Sequence, residues 1–302
     1  EETTPSDVVV LETSSFQMEW VKFFAPCSAM LLNITEDHLN RHHTLQNYID
    51  MKMRVFKNQT DVDFAIINAD DAPVVAEVSK IKSRIVKFTI KDDQSREVFV
   101  HNGVICVKSP DDGRIIEVLR AGELGIIGPH NLSNAAAAVA MAFYSFRVPV
   151  DKIASTLREF KGVHHRLEFI DKIKDVSFYN DSKATNEDSA VTALRSFKTP
   201  VNLIAGGSDK GSDFKMFAAA VKAAPVKKVY IIGQVAQKMR AALESHAFTS
   251  VVMCKTLEQC VRLAYEDSTP GDTILLSPAC ASLDMFKNYE QRGDVFVNEV
   301  KS

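Results

Sequence analysis

The stretch that decides the fold is Val176-Ser177-Phe178-Tyr179-Asn180-Asp181-Ser182-Lys183-Ala184-Thr185-Asn186. Its first four residues form an apolar alternation, which predicts a short strand. The seven residues that follow supply one carboxylate, one ammonium, two hydroxyls and two amides. Because open α/β sheets bind ligands just beyond the carboxyl ends of their strands, this polar loop is a candidate ligand site. A solvated turn held by Asx-type hydrogen bonds is the alternative.

Strand-like runs continue downstream of this stretch, with helical segments between them. They lie at 201–205, 228–232, 250–253 and 273–276. Strands that alternate with helices are typical of βαβ units in a parallel, doubly wound sheet. We therefore predict a Rossmann-like C-terminal domain over residues 164–302.

The residues before that boundary, 1–163, predict a second α/β domain. Apolar runs at 7–12 and 29–34 each end in polar residues, as buried parallel strands do. Residues 45–56 have helical spacing, and 134–146 form an Ala-rich segment that favours a helix. Several short β-like runs separated by turn pairs occupy 64–119, which predicts a β-rich insert or a sheet edge.

Composition and charge exclude several classes of protein. The chain has 302 residues, of which 46% are hydrophobic, and a formal net charge of −3, so nothing favours a nucleic acid or an anionic membrane as partner. Its five cysteines lack the spacing of a metal site and indicate reduced thiols. No apolar run approaches the roughly 20 residues of a membrane span. We expect a cytoplasmic protein.

Two residues of the N-terminal part, Glu12 and His38, are candidate metal ligands or substrate contacts on the sequence alone. Glu12 ends the first apolar run, where an acid in a nucleotide-handling domain can hold Mg²⁺ or cap the strand at the surface. His38 closes the polar run that follows 29–34 and is a candidate metal ligand, substrate contact or turn partner. Lys52 lies in the predicted helix over 45–56, where a solvated lysine is usual.

Polar or glycine-rich segments also follow two of the C-terminal strands. In Gly206-Gly207-Ser208-Asp209-Lys210, consecutive glycines would let the backbone approach an anion that Lys210 neutralises. The segment is not a Walker A loop, because no Gly-Lys-Ser/Thr begins a helix there. Ser277–Asp284 places small residues and Ser282 at a predicted helix start, where amides and a hydroxyl suit a carboxylate. Arg166, near the domain boundary, offers a planar fork for phosphate or belongs to an exposed linker.

Together these runs resemble the Mur ligase family. The matching runs, in chain order, are 11–17, 32–39, 128–135, 165–168, 180–186, 206–210 and 277–284. The Asp-Ser-Lys-Ala-Thr-Asn and Ser-Pro-Ala-Cys-Ala-Ser runs are similar to those of the branch that adds D-glutamate. The family's UDP-binding N-terminal domain and P-loop have no counterpart in this sequence. The resemblance therefore implies a truncated chain with a partial P-loop-type ATPase domain over 1–163, inactive by itself.

The activity implied by the resemblance is ATP-dependent amide ligation. ATP would phosphorylate the terminal carboxylate of UDP-N-acetylmuramoyl-L-alanine, and the amine of D-glutamate would attack the acyl phosphate. This step belongs to peptidoglycan precursor synthesis and hence to cell-wall formation, cell shape and cell division. We expect a monomer.

The resemblance also implies roles for individual residues. Glu12, His38 and a carbamylated Lys52 would hold Mg²⁺, and His38, Lys52 and Lys183 would be catalytic. ATP would be bound by Asn134 at the adenine, Arg166 at the phosphates and Asp181 at the ribose. Ser14 would touch the muramoyl substrate, and the residues implied for D-glutamate are Thr185, Lys210, Ser282, Leu283 and Tyr289.

Two other functions remain open on the sequence. The chain is a candidate for a non-catalytic module or scaffold that binds nucleotide and D-glutamate without turning them over. It is also a candidate for an amide ligase of the same superfamily that uses a different amino acid.

Overall fold

The computed structural model describes residue 4 and residues 7–302, apart from the side chain of Asn40. The chain divides into two compact units. The first contains the described residues up to Glu123 together with Leu132–Leu157, and the second contains Leu124–Asn131 and Arg158–Ser302. The sequence places one boundary near residue 163 and gives no sign that 124–131 belongs with the C-terminal unit.

A six-stranded sheet forms the centre of the first unit. Its strands, in the order in which they lie side by side, are β1 Ser28–Leu31, β2 Phe64–Asn68, β3 Arg84–Phe88, β4 Val98–His101, β5 Val104–Lys108 and β6 Ile115–Arg120. Strands β1 to β4 are parallel, and β4, β5 and β6 form an antiparallel meander. The turn Asn102-Gly103 has positive φ at both residues, which suits a tight hairpin. The β-like runs of 64–119 thus complete the sheet and form one of its edges.

The helices of the first unit pack its sheet and carry several of the predicted functional residues. They are α1 Ser15–Glu19, α2 Leu39–His42, α3 Leu45–Met53, α4 Ala72–Ala76, α5 Pro129–Ala140, which begins in the 124–131 segment, and α6 Val150–Glu159. Helix α3 buries Tyr48 and Ile49 in the same apolar cluster as Ala29 and Leu31 of β1. The helix predicted over 45–56 is confirmed, with its last three residues in a 3₁₀ turn.

The strand expected over residues 7–12 is wrong. Residues 7–14 are irregular, and the side chains of Val8, Val9, Val10 and Leu11 are 61%, 59%, 86% and 61% exposed. An apolar run becomes a strand only where another strand supplies hydrogen-bond partners, and within the described chain β1 pairs with β2 alone. Glu12 is therefore an exposed loop residue, and it does not end a strand.

The second unit contains a doubly wound sheet, as predicted. Its strands are β7 Glu168–Ile173, β8 Val176–Asn180, β9 Val201–Gly206, β10 Val226–Ile232, β11 Val251–Met253 and β12 Thr273–Leu276. They lie in the order β11-β10-β9-β12-β8-β7, and only β7 is antiparallel to its neighbour. The helices are α7 Glu187–Leu194, α8 Lys215–Ala223, α9 Ala236–Ser245, α10 Leu257–Glu266 and α11 Tyr289–Lys301.

Both faces of this second sheet are covered by helices. Leu203 and Leu275 pack into one apolar cluster, whereas their neighbours Ile204 and Ile274 pack into another on the opposite face. The last strand in sequence, β12, lies between β8 and β9. The order of the strands changes direction there, so the loops that follow β8, β9 and β12 meet at one edge, which is the usual ligand crevice of such sheets.

In the part of the chain that the structure describes, the helices are too short or too polar to cross a bilayer.

Candidate active site

The loop after β8 is held by hydrogen bonds to neighbouring segments and is not a solvated turn. The amide of Asp181 donates to the carbonyl of Leu276 at 2.7 Å, and the amide of Lys183 donates to the carbonyl of His165 at 2.9 Å. The loop ends at Asn186, whose side chain caps the start of α7. These hydrogen bonds anchor the polar run to two neighbouring segments. Asp181, at the start of the run, is buried.

Asp181 lies at the base of this loop, and both of its carboxylate oxygens are engaged. Its Oδ1 accepts the amide of Leu167 at 3.2 Å, and its Oδ2 accepts the hydroxyl of Ser277 at 2.8 Å. Burial raises the pKa of Asp181 to about 7, although the two hydrogen bonds and the charge of Arg166 act against it. A carboxylate has lone pairs for further donors, so the arrangement can accept a ligand hydroxyl as well.

Arg166 is exposed and is flanked by two residues with strained backbones. His165 and Leu167 have φ values of 63° and 42°, a region that side-chain-bearing residues seldom occupy. The imidazole of His165 is fixed by the Asn180 amide, which donates to its Nδ1 at 2.9 Å. The ring also fills the space beside Gly293, where an added Cβ would lie 2.1 Å from Nδ1. Strain of this kind clusters at functional sites.

His130 is a further residue of this neighbourhood that the sequence did not assign. It belongs to the 124–131 segment of the second unit and is half-buried. Burial lowers the pKa of its imidazole, and the charge of Arg166 lowers it further. The segment lies against the residues that follow α7: an added Cβ at Gly128 would lie 2.3 Å from the hydroxyl oxygen of Ser196. The cue in the sequence was a His-Asn pair after Gly-Pro, which helix capping alone does not explain.

Lys183 and Tyr289 come together although they are 106 positions apart in the chain. The ammonium of Lys183 lies 6.0 Å from the centroid of the Tyr289 ring. Tyr289 is the first residue of α11, and the side chain of Asn288 caps that helix. The ring can hold a lysine cation in place without neutralising it, which leaves the charge available to an anionic ligand.

The loops after β9, β10 and β12 are tied to one another. The amide of Ser208 donates to the carbonyl of Ala281 at 2.9 Å. The carboxylate of Asp284 accepts the Ser208 hydroxyl at 3.1 Å and the amide of Gln234 at 2.8 Å. Lys210, two residues beyond Ser208, is exposed. Lys210 and Ser282 thus lie on neighbouring loops of one crevice.

The glycine pair Gly206-Gly207 has a structural reason that differs from the one inferred from sequence. An added Cβ at Gly206 would lie 2.1 Å from the carbonyl oxygen of Ile232. At Gly207, with φ of 145°, it would lie 2.2 Å from the carbonyl oxygen of Ala281. Both glycines therefore allow neighbouring backbone segments to approach closely, and the approach that matters here is to protein carbonyls.

The helix start expected at Ser282 is wrong. The Ser282 carbonyl accepts the amide of Phe286 in a turn, and the next helix begins at Tyr289. Ser282 is buried, whereas the side chain of Leu283 is 69% exposed at the crevice loop. Burial raises the pKa of the Cys280 thiol to about 12, which supports a packed thiol over a nucleophile.

Arg292 is the buried functional candidate that the sequence reasoning missed. Its guanidinium donates to the Ser182 hydroxyl at 3.0 Å, the Ser182 carbonyl at 2.8 Å and the Cys280 carbonyl at 3.0 Å. It shares the inward face of α11 with Phe296 and Val300, all three buried. An arginine on the apolar stripe of an amphipathic helix was the available signal.

The first unit places His38 and Lys52 around one aromatic ring. His38 has φ of 53°, and its imidazole lies 6.5 Å from the ring of Tyr48 and 4.8 Å from that of Phe16, centroid to centroid. The ammonium of Lys52 lies 5.1 Å from the centroid of Tyr48. These two predicted residues therefore lie near each other on the same unit.

The other candidates of the first unit do not join that pair. Ser14 caps α1, where its hydroxyl accepts the Gln17 amide at 3.3 Å. Glu12 is exposed in the irregular segment, and Asn134 is an exposed residue of α5. Among the described residues, no group of three or more His, Cys, Asp or Glu side chains could hold a metal ion.

Models of two domains of one protein family match this sequence. Residues 2–142 match the Mur ligase middle domain, and residues 165–280 match the Mur ligase, glutamate ligase domain. The chain belongs to the Mur ligase family. The family assignment confirms the α/β fold class predicted for both parts of the chain.

Two curated relatives of this chain share one name. A UDP-N-acetylmuramoylalanine--D-glutamate ligase of Thermoanaerobacter sp. (strain X514) is 42% identical over 301 residues, which are 99% of this chain and 65% of the relative. The ligase of the same name from Caldicellulosiruptor bescii is 44% identical over 304 residues, or 99% of this chain and 66% of the relative. The Mur ligase chain thus spans 65–66% of the length of these two relatives.

Solved structures of other Mur ligases share the fold. UDP-N-acetylmuramate-alanine ligase from Thermotoga maritima aligns with a TM-score of 0.67 at 17% identity, covering 95% of this chain and 62% of that one. MurF from Acinetobacter baumannii aligns with a TM-score of 0.66 at 17% identity, covering 92% and 60%. A MurF ligase from Thermotoga maritima in complex with ADP aligns with a TM-score of 0.61 at 18% identity, covering 92% and 63%.

Proposed function

We propose that this Mur ligase chain serves the ATP-dependent addition of D-glutamate to UDP-N-acetylmuramoyl-L-alanine, a cytoplasmic step of peptidoglycan precursor synthesis that supports cell shape and division. The relatives at 42–44% identity bear the name of that ligase, which supports the choice of amino acid and acceptor. The observation that carries the proposal is the loop after β8, where Lys183 stands over Tyr289 and Asp181 is buried beneath it.

Charge neutralisation is the main chemical task of such a reaction. A phosphoryl group must pass to a carboxylate, so two anions meet and fixed cations lower the barrier. Lys183 is our candidate for the cation at the transferred phosphoryl or acyl phosphate, because its ammonium forms no ion pair with a carboxylate of the described residues and lies against an aromatic ring. Arg166, exposed beside Asp181, is our candidate for the ATP phosphates.

The proposed nucleotide contacts use the buried acid. The oxygens of Asp181 accept one amide and one hydroxyl from the protein, and a ribose hydroxyl would be a further donor. Asn134 is the proposed adenine contact on the first unit. The ADP complex of a Thermotoga maritima MurF is consistent with a nucleotide as the shared ligand of this fold.

The proposed amino-acid pocket is formed by the loops that meet beyond β8, β9 and β12. Thr185, Lys210 and Ser282 would bind the two carboxylates of D-glutamate, and Leu283 and Tyr289 would line its carbon chain. The hydrogen bonds of Ser208 to Ala281 and Asp284 support this arrangement, because they hold the Lys210 and Ser282 loops side by side. Ser14 remains a proposed contact of the muramoyl substrate.

The metal part of the proposal fits only in part. Bound Mg²⁺ would neutralise phosphate charge. A carbamylated Lys52 would offer the ion an oxygen ligand, and the nearby His38 would offer a nitrogen ligand. Glu12 is outside that pair, and no group of three conventional ligands assembles within the described residues. We therefore derive no catalytic step through the metal and keep Mg²⁺ and the carbamate as proposals.

The second candidate is a module that binds its ligands without turning them over. No stretch of the sequence matches Walker A, so we expect the 302-residue chain to lack turnover when assayed alone. A hybrid decides between the two functions: residues 1–302 replace the matching region of the Thermoanaerobacter ligase, which supplies the remaining third of the relative.

The ligase proposal predicts that the hybrid incorporates radiolabelled D-glutamate into UDP-N-acetylmuramoyl-L-alanine in the presence of ATP and Mg²⁺. Two controls should give no product: the 302-residue chain alone, and the part of the Thermoanaerobacter ligase that the hybrid retains, expressed without residues 1–302. A folded hybrid that binds ADP but forms no amide would contradict the ligase and favour the module.

A further inference from the structure

Arg292 is a fully buried cation that forms no ion pair with a carboxylate of the described residues. Its side chain is 1% exposed, and among the described residues no Asp or Glu forms an ion pair with it, although the carboxylates of Asp284 and Asp181 favour its charge from a greater distance. Burial lowers the pKa of Arg292 to about 10, so the side chain is still a cation at neutral pH. A buried charge without an ion pair is costly unless its N–H groups are hydrogen-bonded, so the partners of the guanidinium matter.

The three hydrogen bonds of Arg292 reach two separate loops. Two of them end on Ser182, at its hydroxyl and its carbonyl, and the third ends on the carbonyl of Cys280. Ser182 lies immediately before Lys183, and Cys280 lies two residues before Ser282. The planar guanidinium therefore fixes the loop after β8 relative to the loop after β12.

A third segment joins the same network. The hydroxyl of Ser182 donates to the carbonyl of Tyr289 at 2.7 Å while it accepts the Nε–H of Arg292. Tyr289 begins α11, the helix that carries Arg292 one turn later. Ser182 and Arg292 thus connect the Lys183 loop, the Ser282 loop and the start of α11 in a single buried cluster.

We propose that Arg292 is a positioning residue of the amino-acid pocket: it sets the distance between the pocket residues Ser282 and Tyr289, and their distance from the phosphoryl cation Lys183, without touching the substrate. This inference rests on the proposed function, because it assigns the pocket to an acidic amino acid. Asp181, the proposed ribose contact, has anchors of its own outside this cluster, because its carboxylate accepts the Leu167 amide and the Ser277 hydroxyl.

Two substitutions of Arg292 distinguish a positioning role from a packing role. Methionine has similar length and fills apolar space, but it leaves two carbonyls and one hydroxyl without their donor. Lysine retains the charge but cannot donate in three fixed directions. Arg240, an exposed residue of α9 paired with Glu244, provides a matched control for the loss of an arginine.

The first test is hydrogen exchange in the unaltered 302-residue chain and in Arg292→Met. We expect the amides of Lys183 and Ala184 to exchange at least tenfold faster in Arg292→Met, while amides of β10 and α9 keep their protection. Arg240→Met should leave every one of these rates within twofold. Unchanged exchange at Lys183 in folded Arg292→Met would overturn the proposal, as would a uniform loss of protection across the second unit.

The second test compares the KM for D-glutamate with the KM for ATP in the hybrid ligase. A general loss of packing would not change one KM and leave the other unchanged. Arg292→Met should raise the KM for D-glutamate at least tenfold and leave the KM for ATP within twofold, and Arg292→Lys should fall between it and the unaltered hybrid. Equal rises in both KM values would overturn the inference. If Arg292→Met does not fold, Arg292→Lys decides by the same split. An inactive unaltered hybrid would contradict the proposed function alone, and the exchange data would still judge Arg292.

Discussion

The ammonium of Lys183 faces the ring of Tyr289 at 6.0 Å from its centroid, and this contact joins the loop after β8 to the first residue of α11. The two residues belong to different sequence runs, and neither run alone indicates the other. Their contact places a cation beside the loop that carries Ser282. The contact therefore joins the proposed phosphoryl cation to a residue that lines the proposed D-glutamate pocket.

Replacement of Lys183 by alanine should remove transition-state stabilisation and leave the fold intact. The side chain is half-buried and contacts a ring, so the stability of Lys183→Ala should change by less than about 1 kcal/mol. The kcat of the hybrid should fall at least about 100-fold, as for other preorganised charges. Lys301→Ala, at the exposed end of α11, is the control. Near-normal turnover in Lys183→Ala would remove this lysine from the mechanism.

The buried carboxyl of Asp181 makes stability depend on pH in a defined window. Its pKa is about 7 in the folded chain and 3.8 in the reference state, so the folded form binds more protons between these values. Stability should therefore be highest below pH 3.8 as far as this group is concerned and fall as pH rises towards about 7. The slope should approach about 1.4 kcal/mol per pH unit.

Asp181→Asn should abolish this part of the slope, because an amide does not titrate. Chemical unfolding curves collected from pH 4 to 8 for both proteins measure it. If the free energies of unfolding of the unaltered chain and of Asp181→Asn differ by the same amount at every pH in that range, Asp181 titrates alike in the folded and unfolded states, which would contradict the prediction.

Three glycine substitutions separate steric contact from backbone strain. Gly207→Ala places a Cβ 2.2 Å from the carbonyl oxygen of Ala281 at positive φ, so it should destabilise by about 2–4 kcal/mol. Gly211 also has positive φ but open space around it, and Gly211→Ala should cost about 1–2 kcal/mol. Gly122→Ala meets neither obstacle and should stay within about 0.5 kcal/mol. Urea unfolding ranks the three, and an equal loss at Gly207 and Gly211 would refute the contact.

Thiol labelling distinguishes a packed Cys280 from a nucleophile. Cys27 is exposed, whereas Cys280 is buried with a raised pKa. Brief treatment of the folded chain with iodoacetamide at pH 7.5 should alkylate Cys27 and leave Cys280 unmodified, as read by peptide mass spectrometry. Alkylation of Cys280 ahead of Cys27 would return the nucleophile hypothesis to consideration.

The second sheet was predictable because buried parallel strands read as apolar runs. Strand β12 has the predicted bounds, and β9 extends the predicted run by a single residue. Strand β7 escaped prediction because Glu168–Ile173 is an edge strand of mixed polarity. Conversely, the run at 7–12 is apolar but has no strand partner in the described chain, which a pattern of single residues does not reveal.

The candidate site was predictable as a set of loops but not as a cluster. Asp181, Lys183 and Ser282 stand in polar runs that follow strands, and strand ends are visible in a sequence. Arg292 lies inside a helix, and its three acceptors come from Ser182 and Cys280, 110 and 12 positions away. Such pairings depend on the order of the strands, and local patterns do not encode it.

The most direct test of the proposed function is an amino-acid panel assayed with the hybrid ligase. ADP release with UDP-N-acetylmuramoyl-L-alanine and ATP would be measured in the presence of D-glutamate, L-glutamate, L-alanine, L-lysine or meso-diaminopimelate. We predict release that depends on D-glutamate and reaches at least about 100 times the rate with any other amino acid. Release that depends on another member of the panel, with D-glutamate inactive, would contradict the account.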